Sequence, residues 1–219
     1  MRHRLAHAAQ QWLPTWLAQY RASHLLRKHG SFLHATGYLR SLEKLEPRDA
    51  QGNPLPFLNY AVIDLLQRRI DKSLNVFEFG SGYSTLFFAR IANTVTSVEH
   101  DAHWYEEVTR LAAPFENVKL LLRPLGESYS GAILETGSRY DLVLVDGRMR
   151  TRCAERALSV LSESGVILWD DSARERYADG MKALQDAGFR RLPIIGLKPA
   201  GFGSDESSFF YRPGNCLGF

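Results

Sequence analysis

Val76-Phe77-Glu78-Phe79-Gly80-Ser81-Gly82-Tyr83-Ser84 is the stretch that decides the fold. Its apolar, β-favouring residues read as a buried strand that carries a carboxylate, Glu78, and runs directly into a glycine turn. A helix-like segment from Thr85 to Ala92 follows, and a second strand, Val95-Thr96-Ser97-Val98, ends in a second acid, Glu99. A strand, a glycine turn, a helix, a strand and an acid about twenty residues on is an arrangement by which α/β proteins hold a nucleoside. Glycines let the backbone approach the ligand, and the second acid accepts from ribose hydroxyls.

Outward from this stretch the pattern keeps alternating. Phe57, Leu58, Ala61, Val62, Leu65 and Leu66 form one apolar helical face ahead of the first strand, 75–79. After the second strand, 94–98, come a helix over 103–112, stopped by Pro114, and strand Val118–Leu122. Strand 141–145 ends at Asp146, a helix follows over about 152–161, and strand 166–169 ends at Asp170 and Asp171. A helix over 177–187 and two strands, about 189–197 and 207–212, complete the chain. Short apolar strands separated by helices predict a mostly parallel sheet covered on both faces, and the last two strands, with no helix between them, predict an antiparallel hairpin.

Residues 1–50 stand apart as a helical N-terminal extension, joined through the turn-rich stretch 47–56 to a domain over 51–219. Trp12, Trp16, Leu17 and Tyr20 fall at helical spacing and are expected to pack against the main domain. The chain of 219 residues has 27 basic and 24 acidic side chains, but residues 1–48 hold eight basic and only two acidic ones. Such an arm is either a solvated helical face or a contact for an acidic partner, nucleic acid or an anionic membrane surface. Cys153 and Cys216 are too few and too far apart for a disulfide framework or a zinc site. No apolar run approaches the ~18 residues of a membrane span. The expectation is a soluble, cytoplasmic protein, with peripheral membrane contact through the basic N-terminus.

Glu78, Glu99, Asp146 and the pair Asp170-Asp171 all fall at carboxyl ends of strands, the edge of a parallel sheet where ligands sit. Each alone has the plainer reading of a helix cap. The glycine register, Gly80-x-Gly82-x-x-Thr85, lacks the third glycine of a dinucleotide fingerprint, and a carboxylate two residues before it is unsuited to a pyrophosphate. A cationic nucleoside, S-adenosylmethionine, suits that acid better, since it carries a sulfonium and an ammonium and no phosphate.

Glu78-Phe-Gly80-Ser-Gly82-Tyr-Ser84 resembles the first motif of class I S-adenosylmethionine-dependent methyltransferases, Ser97-Val-Glu99-His100-Asp101 the second, Tyr140 to Gly147 the fourth, and Gly165 to Asp171 the fifth. The resemblance covers about residues 55–212 and implies a three-layer, Rossmann-like α/β fold. Its seven-stranded sheet would have the order 3-2-1-4-5-7-6 with the last strand antiparallel. It further implies that Gly80, Ser81, Gly82 and Ser84 border the cofactor, that Glu78 lies near its amino-acid moiety, that Glu99 accepts from the ribose and that His100 flanks ribose or adenine. Residues near Leu125 to Glu127 would border the adenine.

Methyl transfer to oxygen needs alignment and removal of a proton, by a base or with help from a metal. Asp146, Asp170 and Asp171 are the candidate catalytic acids. They resemble the Mg²⁺-binding acids of a small-molecule O-methyltransferase subset, which makes Mg²⁺ an admissible second cofactor, but the lysine of that subset has no evident counterpart. Arg148 and Arg150 stand beside Asp146 instead, where they would neutralise the acids or clamp an anionic substrate. The leading reading is an O-methyltransferase for a small-molecule or glycan hydroxyl, with an anionic acceptor favoured by charge; the loop 196–208 is either a lid over the pocket or a plain surface connection between the last two strands. The alternatives are a non-catalytic cofactor-binding module and a nucleic-acid methyltransferase. Against the last, no Asn/Asp-Pro-Pro-Tyr tetrad follows the fourth strand, so no nucleic-acid partner is expected.

Overall fold

The computed structural model describes residues 14–24, 26 and 28–219. Residues 14–24 are helical, and two short helices, α1 (Phe32–Ala35) and α2 (Tyr38–Lys44), follow. The body then runs α3 (Tyr60–Arg69), β1 (Asn75–Phe79), α4 (Tyr83–Ile91), β2 (Thr94–Glu99), α5 (Ala102–Ala112), β3 (Val118–Leu122), α6 (Glu127–Glu135), β4 (Tyr140–Val145), α7 (Arg150–Ala157), β5 (Leu161–Asp170), α8 (Ala178–Asp186), β6 (Arg190–Leu197) and β7 (Ser204–Tyr211). The seven strands form one sheet in the order β3-β2-β1-β4-β5-β7-β6. Neighbours among β1 to β5 are parallel, and β7 lies antiparallel to both β5 and β6. This is the expected Rossmann-like methyltransferase topology.

Strand periodicity splits the core in two. Val76, Leu142, Leu144, Val166 and Leu168 face α3 and α4 in one buried cluster, while Phe77, Phe79, Val143, Val145, Ile167 and Trp169 face α6, α7 and α8 in the other. Glu78 shares the parity of Val76, so its side chain lies on the face covered by α4.

Helix α6 is missing from the sequence reading. Its segment ESYSGAILE holds two serines and a glycine, which dilute the helical signal, and its burial of Tyr129, Ser130, Ala132 and Ile133 is set by the sheet beneath it. The expected packing of the N-terminal aromatics fails for the described residues: Trp16 is 58% and Tyr20 50% exposed, stacked on one another at 5.7 Å rather than on the body. Trp12 lies outside the described residues. The chain joins the core from Leu33 onward, through Leu39, Leu42 and the buried Tyr38, Leu55 and Leu58. The turn-rich stretch is a compact loop in which Asp49 accepts from the N–H groups of Gln51 and Asn53, closed by a bridge between Arg48 and Pro54. Among the described residues no helix is long and apolar enough to cross a membrane.

Candidate functional site

The strand order reverses direction between β1 and β4, and a cleft of about 820 Å³ opens at their carboxyl ends. Two glycines make the approach possible. Gly80 has φ +97°, and a Cβ there would lie 3.0 Å from Gly147 Cα. A Cβ on Gly147 would meet the carbonyl oxygen of Phe79 at 2.8 Å as well as the Tyr129 hydroxyl. The turns after β1 and β4 are therefore in backbone contact, which ties the two halves of the cleft together.

Thr85, the residue that breaks the dinucleotide fingerprint, has its own role. Its Oγ1 accepts from the Gly82 N–H at 3.0 Å, and its N–H donates to the Gly82 carbonyl at 3.1 Å, closing the first turn of α4. Gly80, Ser81, Gly82 and Ser84 line the cleft, as do Glu99 and His100. Glu99 is nearly buried and fully engaged. Its Oε2 accepts from the Ser81 N–H and hydroxyl at 3.2 and 3.3 Å, and its Oε1 from the N–H groups of His100 and Asp101 at 2.6 and 2.9 Å. His100 Nδ1 lies 2.8 Å from the same Oε1. Trp104, not singled out in the sequence, lines the cleft and donates its indole N–H to the Ser81 carbonyl at 2.8 Å. The segment near Leu125 to Glu127 is not part of the cleft wall; Leu125 is 51% exposed.

Glu78 lies beneath the turn rather than on the cleft wall. It is completely buried, and neither carboxylate oxygen has a hydrogen-bond partner among the described residues. Burial pushes its carboxyl up to about 7; the hydroxyls of Thr85, Ser84 and Ser97 surround it and oppose that shift without reaching hydrogen-bond geometry. A buried, unsatisfied acid under a glycine turn fits a cofactor carrying an ammonium or sulfonium and is at odds with a phosphate.

The other half of the cleft is assembled from side chains. Asp146, Asp170 and Asp171 come together, with one oxygen of each within 4.8 Å of the others. Consecutive strand residues point to opposite faces, but Asp171 leaves β5 in the left-handed region, φ +53°, and both acids reach the same cation. That cation is Lys198, whose Nζ lies 2.9 Å from Asp170 and 3.1 Å from Asp171. Arg150, 8% exposed, donates to the Gly147 and Asp146 carbonyls at 3.1 and 2.8 Å, to the Asp170 carbonyl and to Asp146 Oδ1 at 2.9 Å. It also lies 3.2 Å from Asp171, which Arg174 meets at 2.7 Å. The Ser207 hydroxyl donates to Asp170 at 2.7 Å.

This donor set does not fit a divalent ion, because the protein's own cations already occupy the carboxylates that would hold it. Lys198 is not singled out in the sequence: it follows β6, at the far edge of the sheet order, and is brought in by the hairpin. The same loop carries Phe202, which is 83% exposed and does not cover the cleft.

The acids differ in proton affinity. Burial pushes Asp171 up, but Lys198, Arg150 and Arg174 outweigh it and hold that carboxyl below the usual range. Asp146 lines the cleft, and there burial and the neighbouring Asp170 charge push it well above the usual range despite Arg150 and Lys198.

Residues 77–172 match the family model of a methyltransferase domain. Among solved structures, a methyltransferase-like protein from Silicibacter pomeroyi DSS-3 superposes with TM-score 0.54 at 23% identity, covering 74% of this chain and 91% of that one. Fibrillarin from Aeropyrum pernix, solved with natively bound S-adenosyl-L-methionine, gives 0.53 at 14% identity, covering 65% and 68%. An rRNA methylase from Streptococcus thermophilus gives 0.50 at 13% identity, covering 68% and 92%. These likenesses are of fold. No curated protein matches the chain. Residues 77–172 are thus similar to a methyltransferase domain, and the strand order and the glycine turn between β1 and α4 agree with that likeness.

Proposed function

We propose that the chain transfers a methyl group from S-adenosylmethionine to a hydroxyl of a small molecule or glycan, with Asp146 as the general base. The observation that carries this reading is that Asp146, a carboxylate with raised proton affinity, lines the same cleft as the Gly80–Gly82 turn and Glu99. A base is most effective when its pKa lies nearer the working pH than that of a free carboxylate, and the surroundings of Asp146 move it that way.

Gly80, Ser81 and Gly82 would hold the cofactor's backbone-facing side, Glu99 its ribose hydroxyls and Trp104 and His100 the rim, with Glu78 below supplying negative potential. Bound S-adenosylmethionine supplies a methyl group on a sulfonium. Asp146 would then accept the proton of an acceptor hydroxyl placed between it and the turn. Lys198, Arg150 and Arg174 hold Asp171 below the usual carboxylate range, so that it does not compete for that proton, and Asp170 and Asp171 act as positioning residues. Incubating metabolite and glycan extracts with protein and label-bearing S-adenosylmethionine, then reading by mass spectrometry which species gains the label, tests the proposal. A labelled hydroxyl supports it, and label on nitrogen, carbon or nowhere counts against it.

An RNA acceptor is the second reading. It is favoured by the arginines that line the cleft and by the likeness in fold to an rRNA methylase. Ribosomal RNA included in the same labelling experiment separates the two.

A further inference from the structure

We infer that the arginine wall of the cleft is a subsite for a phosphoryl group of the acceptor, with Arg148 and Arg176 as its principal ligands. The inference rests on the methyl-transfer reading for the statement that the cleft's occupant is an acceptor.

Arg148, Arg150, Arg152, Arg174 and Arg176 line the cleft, and Glu99 and Asp146 are the carboxylates among its lining residues. Three of the arginines are already committed. Arg150 clamps the ends of β4 and β5, Arg174 pairs with Asp171, and Arg152 lies 3.5 Å from Glu127. Arg148 and Arg176 pair with no carboxylate among the described residues. Arg176 is held instead over the Tyr177 ring, 4.9 Å from its centroid, with Nη2 donating to the Tyr177 hydroxyl at 3.0 Å. That contact orients the guanidinium without neutralising it.

The charge balance gives the class of ligand. Counting Lys198, Asp170 and Asp171 behind Asp146, six cations stand against four carboxylates, and Glu127 changes nothing because Arg156 also pairs with it. The surplus of two positive charges exceeds what one carboxylate needs, since a single bidentate arginine satisfies it, and suits a doubly charged phosphoryl group held from two sides. A second observation points the same way. Helix α7 has Met149 at its N-cap, which supplies no side-chain acceptor, and the first-turn residues Thr151 and Arg152 line the cleft beside Arg148. The wall is thus built from two elements, the start of α7 and the turn at 174–177, with cations from both. A concave wall of one sign concentrates an anionic ligand more strongly than the same charges on an open surface.

The test is calorimetric titration of inorganic pyrophosphate, citrate and a short single-stranded RNA into the full chain at low salt. It is run on wild type and on the Arg148→Gln, Arg176→Gln double variant, with S-adenosylhomocysteine titrated into both as a check on folding and on the cofactor half. The inference predicts that pyrophosphate binds, that citrate of comparable charge binds more weakly, and that the double variant loses about tenfold or more in pyrophosphate affinity while its S-adenosylhomocysteine affinity is unchanged. It is overturned if pyrophosphate does not bind, if citrate binds as tightly, or if the double variant binds pyrophosphate like wild type. RNA binding more tightly than pyrophosphate through the same two arginines overturns it in favour of a nucleic-acid acceptor. Failure of S-adenosylhomocysteine to bind wild type is a separate result, which removes the methyl-transfer reading whatever pyrophosphate does.

Discussion

At the ends of β1 and β2 the cleft is built from backbone: Gly80 at positive φ, Ser81 and Gly82 in a turn closed by Thr85, and Glu99 tied to the N–H groups of Ser81, His100 and Asp101 in the two loops. At the ends of β4 and β5 it is built from side chains that arrive from elsewhere, Arg150 from α7, Arg174 from the following turn and Lys198 from the far hairpin. The first half suits a ligand that never changes, because backbone geometry is held by the sheet itself. The second half is a set of charged side chains whose members can be exchanged one at a time, as a changing acceptor requires.

The sharpest way to break this division is Asp146→Asn. It is expected to cut turnover by about 10²–10⁴-fold while leaving S-adenosylhomocysteine affinity within about twofold. Steady-state kinetics beside calorimetry checks it, and equal losses in both would move Asp146 from the acceptor half to the cofactor half. Lys198→Met comes next. It leaves Asp170 and Asp171 buried with fewer partners, and a loss of about 3–5 kcal/mol in denaturant unfolding is expected. Added Mg²⁺ should recover part of it in the variant and none in wild type. Wild-type stability that rises with Mg²⁺ would mean that the resident cations do not exclude a metal.

Glu78→Gln tests the cofactor half through pH. The carboxyl has an ordinary value of 4.5 and a folded value of about 7. Between these the unfolded chain holds fewer protons than the folded one, so Glu78 makes stability fall as pH rises through that window and level off above it. Glutamine removes the penalty, with a gain on the order of 3 kcal/mol near pH 8 and none below about pH 4. Thermal unfolding of the free protein across this range checks it, and a gain that does not depend on pH would refute the ionisation. Glu99→Ala is expected to weaken S-adenosylhomocysteine binding by about 1–3 kcal/mol. The smallest effect is that of EDTA, which should leave turnover unchanged.

What could be read in the sequence follows the same division. Gly80-Ser81-Gly82 and Glu99 are neighbours of their own strands, so local spacing carries them, whereas the strand order comes from the resemblance of the four motifs to a known family and not from the spacing itself. Lys198 has no local signal. It lies in a glycine-rich loop after β6, and only the antiparallel return of β7 beside β5 brings it to Asp170. Arg150 was legible as a charge near Asp146, but its commitment to four carbonyl and carboxylate groups could not be separated from the exposure of Arg148 until burial was known. Trp104 reads as one apolar residue of an amphipathic helix, and α6 is hidden by its serines and Gly131. The exposure of Trp16 and Tyr20 is likewise a tertiary fact, since helical spacing marks an apolar stripe without naming what covers it.

In the proposed reaction the Gly80–Gly82 turn and Glu99 would hold S-adenosylmethionine. Calorimetric titration of S-adenosylhomocysteine into wild type and Glu99→Ala measures it most directly. Saturable binding to wild type and a weakening of about fivefold to 150-fold in the variant are expected. Absence of binding to wild type, or equal affinity in the two proteins, would contradict it.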